Sequence, residues 1–297
     1  MKKVAVIFGG SSSERDVSIH TGLAVVEAIK DKYYVESINI SDDYANLNEK
    51  LLDVDIVFLA LHGGFGENGT IQKYFEKHNI IYTGSDSKSS SIAMDKNQTK
   101  LIAKKNSIPV LDWFVTNEKD KINSDKLNFP LIIKPNDGGS TIGLYYCKNK
   151  DDFNLNIKKA FKHSTNVMVE QYVEAREVSV PILDGQVLPI IEIFPNGFLY
   201  DYDSKYKDKG SSYQVPAMIN DNISRKLAED SIKLYNKIGC RHYARIDYLL
   251  DGEKHYLLEI NTLPGLTSTS LLPKSASKIG LDYSTLVDKI IKIALKK

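Results

Sequence analysis

Arg245-Ile-Asp-Tyr-Leu-Leu-Asp-Gly-Glu-Lys-His-Tyr-Leu-Leu-Glu-Ile-Asn261 reads as a β-hairpin, two strands around the turn Asp251-Gly252-Glu253-Lys254. Strand side chains alternate, so Arg245, Asp247, Glu259 and Asn261 share one face of the sheet. With Asp251 opposite His255, Asp247 faces Glu259 and Arg245 faces Asn261. Two carboxylates directly opposite each other repel unless something positive lies between them, and an oxygen-only set of Asp, Glu and Asn suits Mg²⁺. The spacing predicts a metal seat made of Asp247, Glu259 and Asn261. The alternative is a solvated hairpin with incidental acids; the apolar run Tyr256-Leu257-Leu258 speaks for a packed one.

Working outward, 297 residues suit about two domains, and 42% hydrophobic residues suffice for real cores. Lys and Arg number 39 against 38 Asp and Glu, so no global field draws the chain toward nucleic acid or an anionic membrane. The longest strongly apolar stretch, Ile56 to Leu61, is far too short to span a bilayer. Met1-Lys2-Lys3 and Val4 to Phe8 imitate the start of a signal peptide. The apolar run ends at Gly9-Gly10 without a small-residue cleavage site, so it reads as a first strand. Cys147 and Cys240 lack metal-ligand spacing and are too few for a disulfide framework, which predicts buried free thiols in a reducing cytoplasm.

The N-terminal third alternates strand and helix. Val4 to Phe8, Tyr34 to Ile40 and Ile56 to Leu61 are strands; Ile19 to Ile29 and Ile71 to His78 carry helical periodicity. That order predicts an α/β unit with a parallel sheet over residues 1–93. Ser85 to Ser91 reads as a small, polar boundary, followed by a lysine-rich helix from Asp95 to Asn106. From Leu131 the pattern becomes α+β, with short strands at 131–134, 142–147, 167–170, 177–183 and 187–194, and a hairpin turn at Asp184-Gly185. A helix from Arg225 to Ile238 leads into the opening hairpin, and an amphipathic helix from Tyr283 to Leu295 closes the chain. A second unit is expected to begin near residue 94.

Several constellations can carry chemistry. Lys134 ends a strand ahead of Pro135-Asn-Asp-Gly-Gly139-Ser140-Thr-Ile-Gly143, a loop rich in backbone N–H donors that can close over phosphate or be a plain turn. It is not a P-loop, and Gly9-Gly10 opens no dinucleotide fingerprint, which weighs against a nicotinamide-dependent dehydrogenase. Glu170-Gln171-Tyr172-Val173 ends a strand where backbone groups can face a purine, and Glu177 can bind ribose or stand solvated. Tyr200 to Tyr206, with Lys205, is either a mobile lid or an exposed charged loop. The loop Asn261 to Leu271 is dense in hydroxyls and amides that can hold a carboxylate, or is a solvated serine-rich linker. Glu14 and Ser18 flank a helix start, where capping is the ordinary role; His62 and Glu67 sit at the carboxyl edge of the parallel sheet, where ligands bind, although a lone histidine is more often a hydrogen-bonded structural residue.

Taken in order, Gly9-Gly-Ser-Ser-Ser-Glu14-Arg-Asp-Val-Ser18, Leu61-His-Gly-Gly-Phe-Gly-Glu-Asn-Gly69, Met94-Asp-Lys96, Lys134-Pro135 with its loop, Tyr200 to Tyr206, Arg245-Ile-Asp247 and Glu259-Ile-Asn-Thr-Leu-Pro-Gly265 resemble the D-alanine:D-alanine ligases of the ATP-grasp superfamily. The resemblance covers almost the whole chain. It implies an N-terminal parallel-sheet α/β domain followed by a two-part ATP-grasp fold, and ATP-dependent joining of two D-alanines through an acyl phosphate for cell-wall peptidoglycan. The alternative is a D-alanine:D-lactate ligase or another ATP-grasp carboxylate-amine ligase; Tyr206 favours the dipeptide.

By similarity, Glu14 holds the first ammonium and bonds Ser140 and Tyr206, with Val17, Ser18 and His62 beside that substrate. Arg245 and the Gly265 amide stabilise the oxyanion, and Ser270 and the Leu271 amide take the second carboxylate. Lys96, Lys134, Gly139 and Ser140 hold the ATP phosphates, Lys205 neutralises the transferring one, Glu170, Gln171, Tyr172 and Val173 meet adenine, and Glu177 meets ribose. Asp247, Glu259 and Asn261 carry two Mg²⁺, with Glu259 bridging; Mn²⁺ as a substitute, K⁺ as a further ion, a homodimer and a cytoplasmic setting are further implications. The chain departs from the family pattern at Asn68, Gly138, Gln171 and Leu263, where relatives commonly carry Asp, Glu, Lys and Ser.

Overall fold

A computed structural model describes residues 1–41, 44, 46–195 and 211–296. The segment 200–206, with Lys205 and Tyr206, lies outside the described residues. Strand β1 (Lys3–Gly9) has Val4 to Gly9 buried, as befits a central strand covered on both faces. It is flanked in parallel by β2 (Tyr34–Ile40) and β3 (Ile56–Leu59), in the order β2-β1-β3. Helices α1 (Arg15–Ile29), α2 (Leu47–Lys50) and α3 (Thr70–Lys77) occupy the connections that parallel strands require.

The serine-rich run read as a boundary is mostly helix, α4 (Ser87–Met94). Asp86 caps it by accepting from Ser89 N at 2.8 Å, and the Ser89 hydroxyl donates to the carbonyls of Ile238 and Gly239. Capping and buried partners outweigh the poor helix propensity of serine. Helix α5 (Lys96–Lys105) follows, capped by Asp95.

Two antiparallel sheets come next. The first has the order β4-β7-β5-β6, from β4 (Trp113–Asn117), β5 (Leu131–Pro135), β6 (Tyr145–Cys147) and β7 (Asn166–Gln171), with α6 (Lys150–Ala160) packed on it. The second has the order β11-β10-β8-β12-β13, from β8 (Arg176–Leu183), β10 (Ile191–Pro195), β11 (Ser211–Gln214), β12 (Tyr243–Asp251) and β13 (Lys254–Asn261), with β9 (Gln186–Val187) beside the end of β8. Asp184 and Gly185 have φ of 53° and 72°, the left-handed pair that a tight hairpin turn demands. The single strand expected over 187–194 is split into β9 and β10; Pro189 between them has no N–H to give a ladder. Helix α7 (Asp221–Ile238) buries Ile223, Leu227, Leu234 and Ile238 from one face.

The chain then returns. After α8 (Leu271–Ser277), helix α9 (Tyr283–Ala294) buries Leu286, Val287, Ile290 and Ile291 in the same core as β1 and β3. Ser284 Oγ donates to Ala28 O at 2.6 Å, and the buried Tyr33 hydroxyl donates to Asp288 Oδ1 at 2.7 Å. No helix among the described residues is long and apolar enough to cross a membrane. Removing the Tyr33 donor leaves Asp288 its Lys292 partner at 2.7 Å, so Tyr33→Phe is expected to cost about 1 kcal/mol. A urea titration reads this as a lower midpoint at unchanged slope; an unaltered midpoint contradicts the role given to this bond.

Candidate active site

Asp247 and Glu259 are paired residues on β12 and β13, and Arg245 pairs with Asn261, as the sequence predicts. The route differs. Asp251 pairs with Lys254 rather than His255, and a bulge at Leu258 restores the expected register beyond it. The positive charge between the acids is supplied by protein: Arg245 donates to Asp247 Oδ2 at 2.8 Å and Oδ1 at 3.0 Å, while Lys96 lies 3.4 Å from Glu259. Ser179 Oγ, at 2.6 Å, and Asn261 Nδ2, at 3.0 Å, complete the shell of the buried Asp247. Repulsion between the two acids therefore does not by itself demand a metal. The donor set still fits one, since Asp247, Glu259 and Asn261 offer only oxygens to a hard cation, and Mg²⁺ takes its remaining positions from phosphate and water. No cluster of three or more His, Cys, Asp or Glu competes for that role among the described residues.

This hairpin walls two clefts. The first, about 540 Å³, lies between the antiparallel sheets and is lined by Lys96, Lys134, Gly139, Glu170, Gln171, Tyr172, Val173, Glu177, Asp247 and Glu259. Leu111, Ile132, Leu249 and Leu258 add apolar surface suited to a flat base. Lys134 and Glu170 lie diagonally across β5 and β7, and Lys134 Nζ donates to Glu170 Oε2 at 2.6 Å. Lys100, reaching up from α5, is in ion-pair contact with the other oxygen. Burial pushes the Glu170 carboxyl up, and the two ammonium groups outweigh it, holding it below the ordinary carboxylate range. With that side chain committed to two lysines, what residues 170–173 offer a base is chiefly backbone. Gln171 Nε2 is tied back to Pro130 O at 3.0 Å.

The loop after β5 crosses from one cleft to the other. Asn136 anchors it to α5, accepting from Asn97 N at 2.9 Å and donating to Asp95 at 2.9 Å, and Lys96 Nζ donates to Gly138 O. Ser140 and Thr141 both have left-handed φ, 50° and 64°. Such strain clusters at ligand clamps. The Ser140 hydroxyl donates to Glu14 Oε1, joining residues 126 apart in the chain. A Cβ at Gly139 would stand 3.2 Å from Glu14 Oε2, and one at Gly63, whose φ is 66°, only 2.8 Å, so both glycines let backbone approach this carboxylate.

The second cleft, about 630 Å³, is lined by Glu14, Val17, His62, Ser140, Arg245, Glu259, Asn261, Gly265, Ser270 and Leu271. Glu14 stands at the N-cap position of α1 yet makes no side-chain cap bond, so the ordinary reading of that acid does not hold. His62 Nε2 is 3.0 Å from Thr21 Oγ1 and its Nδ1 is 3.5 Å from Glu67. Ser18 departs from expectation: fully buried, its hydroxyl accepts from Gly9 N and donates to Ala60 O, both at 2.8 Å. It ties the carboxyl ends of the parallel strands together and is not among the residues lining the cleft. Ser270 accepts from Thr267 N at 3.1 Å beside Gly265, where a Cβ would meet its hydroxyl at 3.0 Å. Glu259 and Gly139 line both clefts, so ligands in the two would meet there.

Sequence reasoning missed Lys100 and the pair Arg176–Glu192, at 2.6 and 2.7 Å, on the rim of the first cleft. The signal for Lys100 was its spacing, one turn after Lys96 on the same helix face.

Comparison with known proteins agrees with this geometry. The family described as D-ala D-ala ligase C-terminus matches residues 102–292, and D-ala D-ala ligase N-terminus matches 42–85. A D-alanine–D-alanine ligase of Syntrophotalea carbinolica is 40% identical over 98% of this chain and 95% of the relative. The crystal structure of the D-alanine–D-alanine ligase of Bacillus anthracis superposes with a TM-score of 0.89 at 37% identity, covering 100% of this chain and 98% of that one. The same ligase complexed with ATP gives 0.88 at 35% identity, with the same coverage. Full-length identity of this order, together with two clefts meeting at one hairpin, places the chain in the D-alanine–D-alanine ligase family, with its ATP-grasp fold.

Proposed function

We propose that this protein joins two D-alanines into D-alanyl-D-alanine with hydrolysis of ATP to ADP and phosphate, supplying peptidoglycan synthesis. The observation that carries the reading is the meeting, at Glu259 and Gly139, of a cleft lined by Lys96, Lys134 and apolar side chains with one lined by Glu14, His62 and Arg245. The carboxylate of the first D-alanine attacks the γ-phosphate of ATP, forming an acyl phosphate and releasing ADP. The amine of the second attacks the acyl carbon, and the tetrahedral intermediate collapses to dipeptide, phosphate and a proton. Neither step needs a protein nucleophile, so catalysis is positioning and charge neutralisation.

The positions of the side chains around the two clefts support the roles given to them. Glu14, clamped by Ser140, holds the first ammonium, with Val17 and His62 beside it. Ser270 and the Leu271 amide receive the second carboxylate, and Arg245 with the Gly265 amide faces the oxyanion. Lys96, Lys134 and the Gly139-Ser140 backbone hold phosphates; the backbone of residues 170–173 and the Glu177 side chain hold adenosine. Ser18 supports the scaffold rather than the substrate. Asp247, Glu259 and Asn261 would hold Mg²⁺, which, when bound, screens the phosphate charge against the incoming carboxylate. Mn²⁺ suits the same oxygens, and no observation supports a K⁺ site. Lys205 and Tyr206 keep the family's roles by resemblance alone. Resemblance also extends the reading to a homodimer, to the division 1–93, 94–174 and 175–297, and to a cytoplasmic setting, which fits the buried thiols of Cys147 and Cys240.

Phosphate release with ATP and Mg²⁺ tests the reaction: D-alanine alone is expected to support it, L-alanine is not, and added D-lactate should yield no depsipeptide. Turnover equal with L-alanine, or a depsipeptide as main product, contradicts the assignment. Asp247→Ala and Glu259→Ala are each expected to lower kcat/KM at least about a hundredfold in a folded protein; near wild-type turnover rules the seat out. Glu14→Gln should raise the KM for D-alanine about tenfold or more with the KM for ATP within about twofold. A change confined to ATP would move Glu14 out of the substrate site.

A further inference from the structure

Lys100 is fully buried and lines neither cleft; burial pulls its ammonium below the ordinary lysine range, and the Glu170 carboxylate beside it pulls the other way. Its Nζ donates to Leu257 O on β13 at 2.9 Å, is in ion-pair contact with Glu170 Oε1, and lies 5.8 Å from the centre of the Trp113 ring. A buried ammonium is costly, so a fold that keeps one without a contact to ligand gains something else from it. The charge arithmetic shows what. Glu170 carries one negative charge and divides its two oxygens between Lys100 and Lys134, so with both lysines protonated the triad has a net charge of plus one. The only member of it that is both cationic and in the nucleotide cleft is Lys134. Without Lys100, Glu170 and Lys134 would form a neutral pair, and the attraction that Lys134 exerts on an anion in the cleft would be largely cancelled.

We propose that Lys100 is a positioning residue of the nucleotide site: by satisfying the inner oxygen of Glu170, it leaves the charge of Lys134 available to the ATP phosphates. This rests on the reading of the first cleft as the ATP site. Lys100 acts through Glu170 and touches no phosphate itself. Its effect is therefore specific to the charged part of the nucleotide and depends on Glu170 being ionised.

The test is equilibrium binding of ATP and of adenosine to the wild type, Lys100→Met, and the double variant Lys100→Met/Glu170→Gln, with KM values alongside. Lys100→Met is expected to weaken ATP about tenfold, leaving adenosine affinity and the KM for D-alanine within about twofold. The double variant, which removes the carboxylate that Lys100 neutralised, should recover ATP affinity to within about threefold of the wild type. A role in packing alone predicts equal losses for ATP and adenosine and a double variant weaker than the single one; that result overturns the proposal. Should Lys100→Met fail to fold, the double variant decides alone, because it keeps the net charge and buries no unpaired carboxylate. ATP affinity near wild type supports the proposal, and a loss as large as that of Lys134→Ala overturns it. Wild-type protein that binds neither ATP nor adenosine would instead overturn the nucleotide reading itself.

Discussion

A carboxylate buried in a sheet must be matched by donors, and Asp247 meets three of them: the Arg245 guanidinium, the Ser179 hydroxyl and the Asn261 amide. These come from β8, β12 and β13, so one charged group fixes the relative positions of three neighbouring strands on a single face. The bulge at Leu258 is part of the same arrangement, since without the extra residue Glu259 and Asn261 would turn to the opposite face. With them in place, the hairpin becomes the common wall of the two clefts, and Glu259 is exposed to both.

The surrounding units are positioned by links between distant parts of the chain. The parallel sheet contributes Glu14 and His62 from the loops after β1 and β3, the carboxyl edge at which open α/β sheets receive ligands. The antiparallel sheet of β4 to β7 contributes Lys134 and the strained loop that carries Ser140 back to Glu14. Helix α9 returns to the first core, so the protein's last described helix buttresses its first strand. Each cleft is assembled from segments far apart in sequence. A reaction between a nucleotide and an amino acid is suited to such a site, where binding fixes both reactants before any bond is made.

Much of this was legible in the residues because it is local. Alternation of strand and helix gave the parallel unit, the glycine-rich loops marked the ligand edge, and Arg245 to Asn261 stated its own facing pairs. The hairpin register came out right through two compensating departures, a turn shorter by one residue and a bulge, because the periodicity of side chains says nothing about where an extra residue is inserted. What was not legible depends on tertiary partners. Residues 85 to 91 look like a linker until the carbonyls of Ile238 and Gly239 are brought to the Ser89 hydroxyl. Ser18 looks like a ligand contact until Gly9 and Ala60 use up its hydroxyl. Lys100, on a helix full of lysines, looks solvated; only the fold brings Glu170 within its reach.

The proposed reaction begins with direct attack by the amino acid's carboxylate on the terminal phosphate where the two clefts join. D-alanine labelled with ¹⁸O in its carboxyl group, turned over with unlabelled ATP and Mg²⁺, measures this. Direct attack puts one labelled oxygen in each inorganic phosphate released and gives ADP as the nucleotide product. Unlabelled phosphate, or label recovered in AMP, would contradict it.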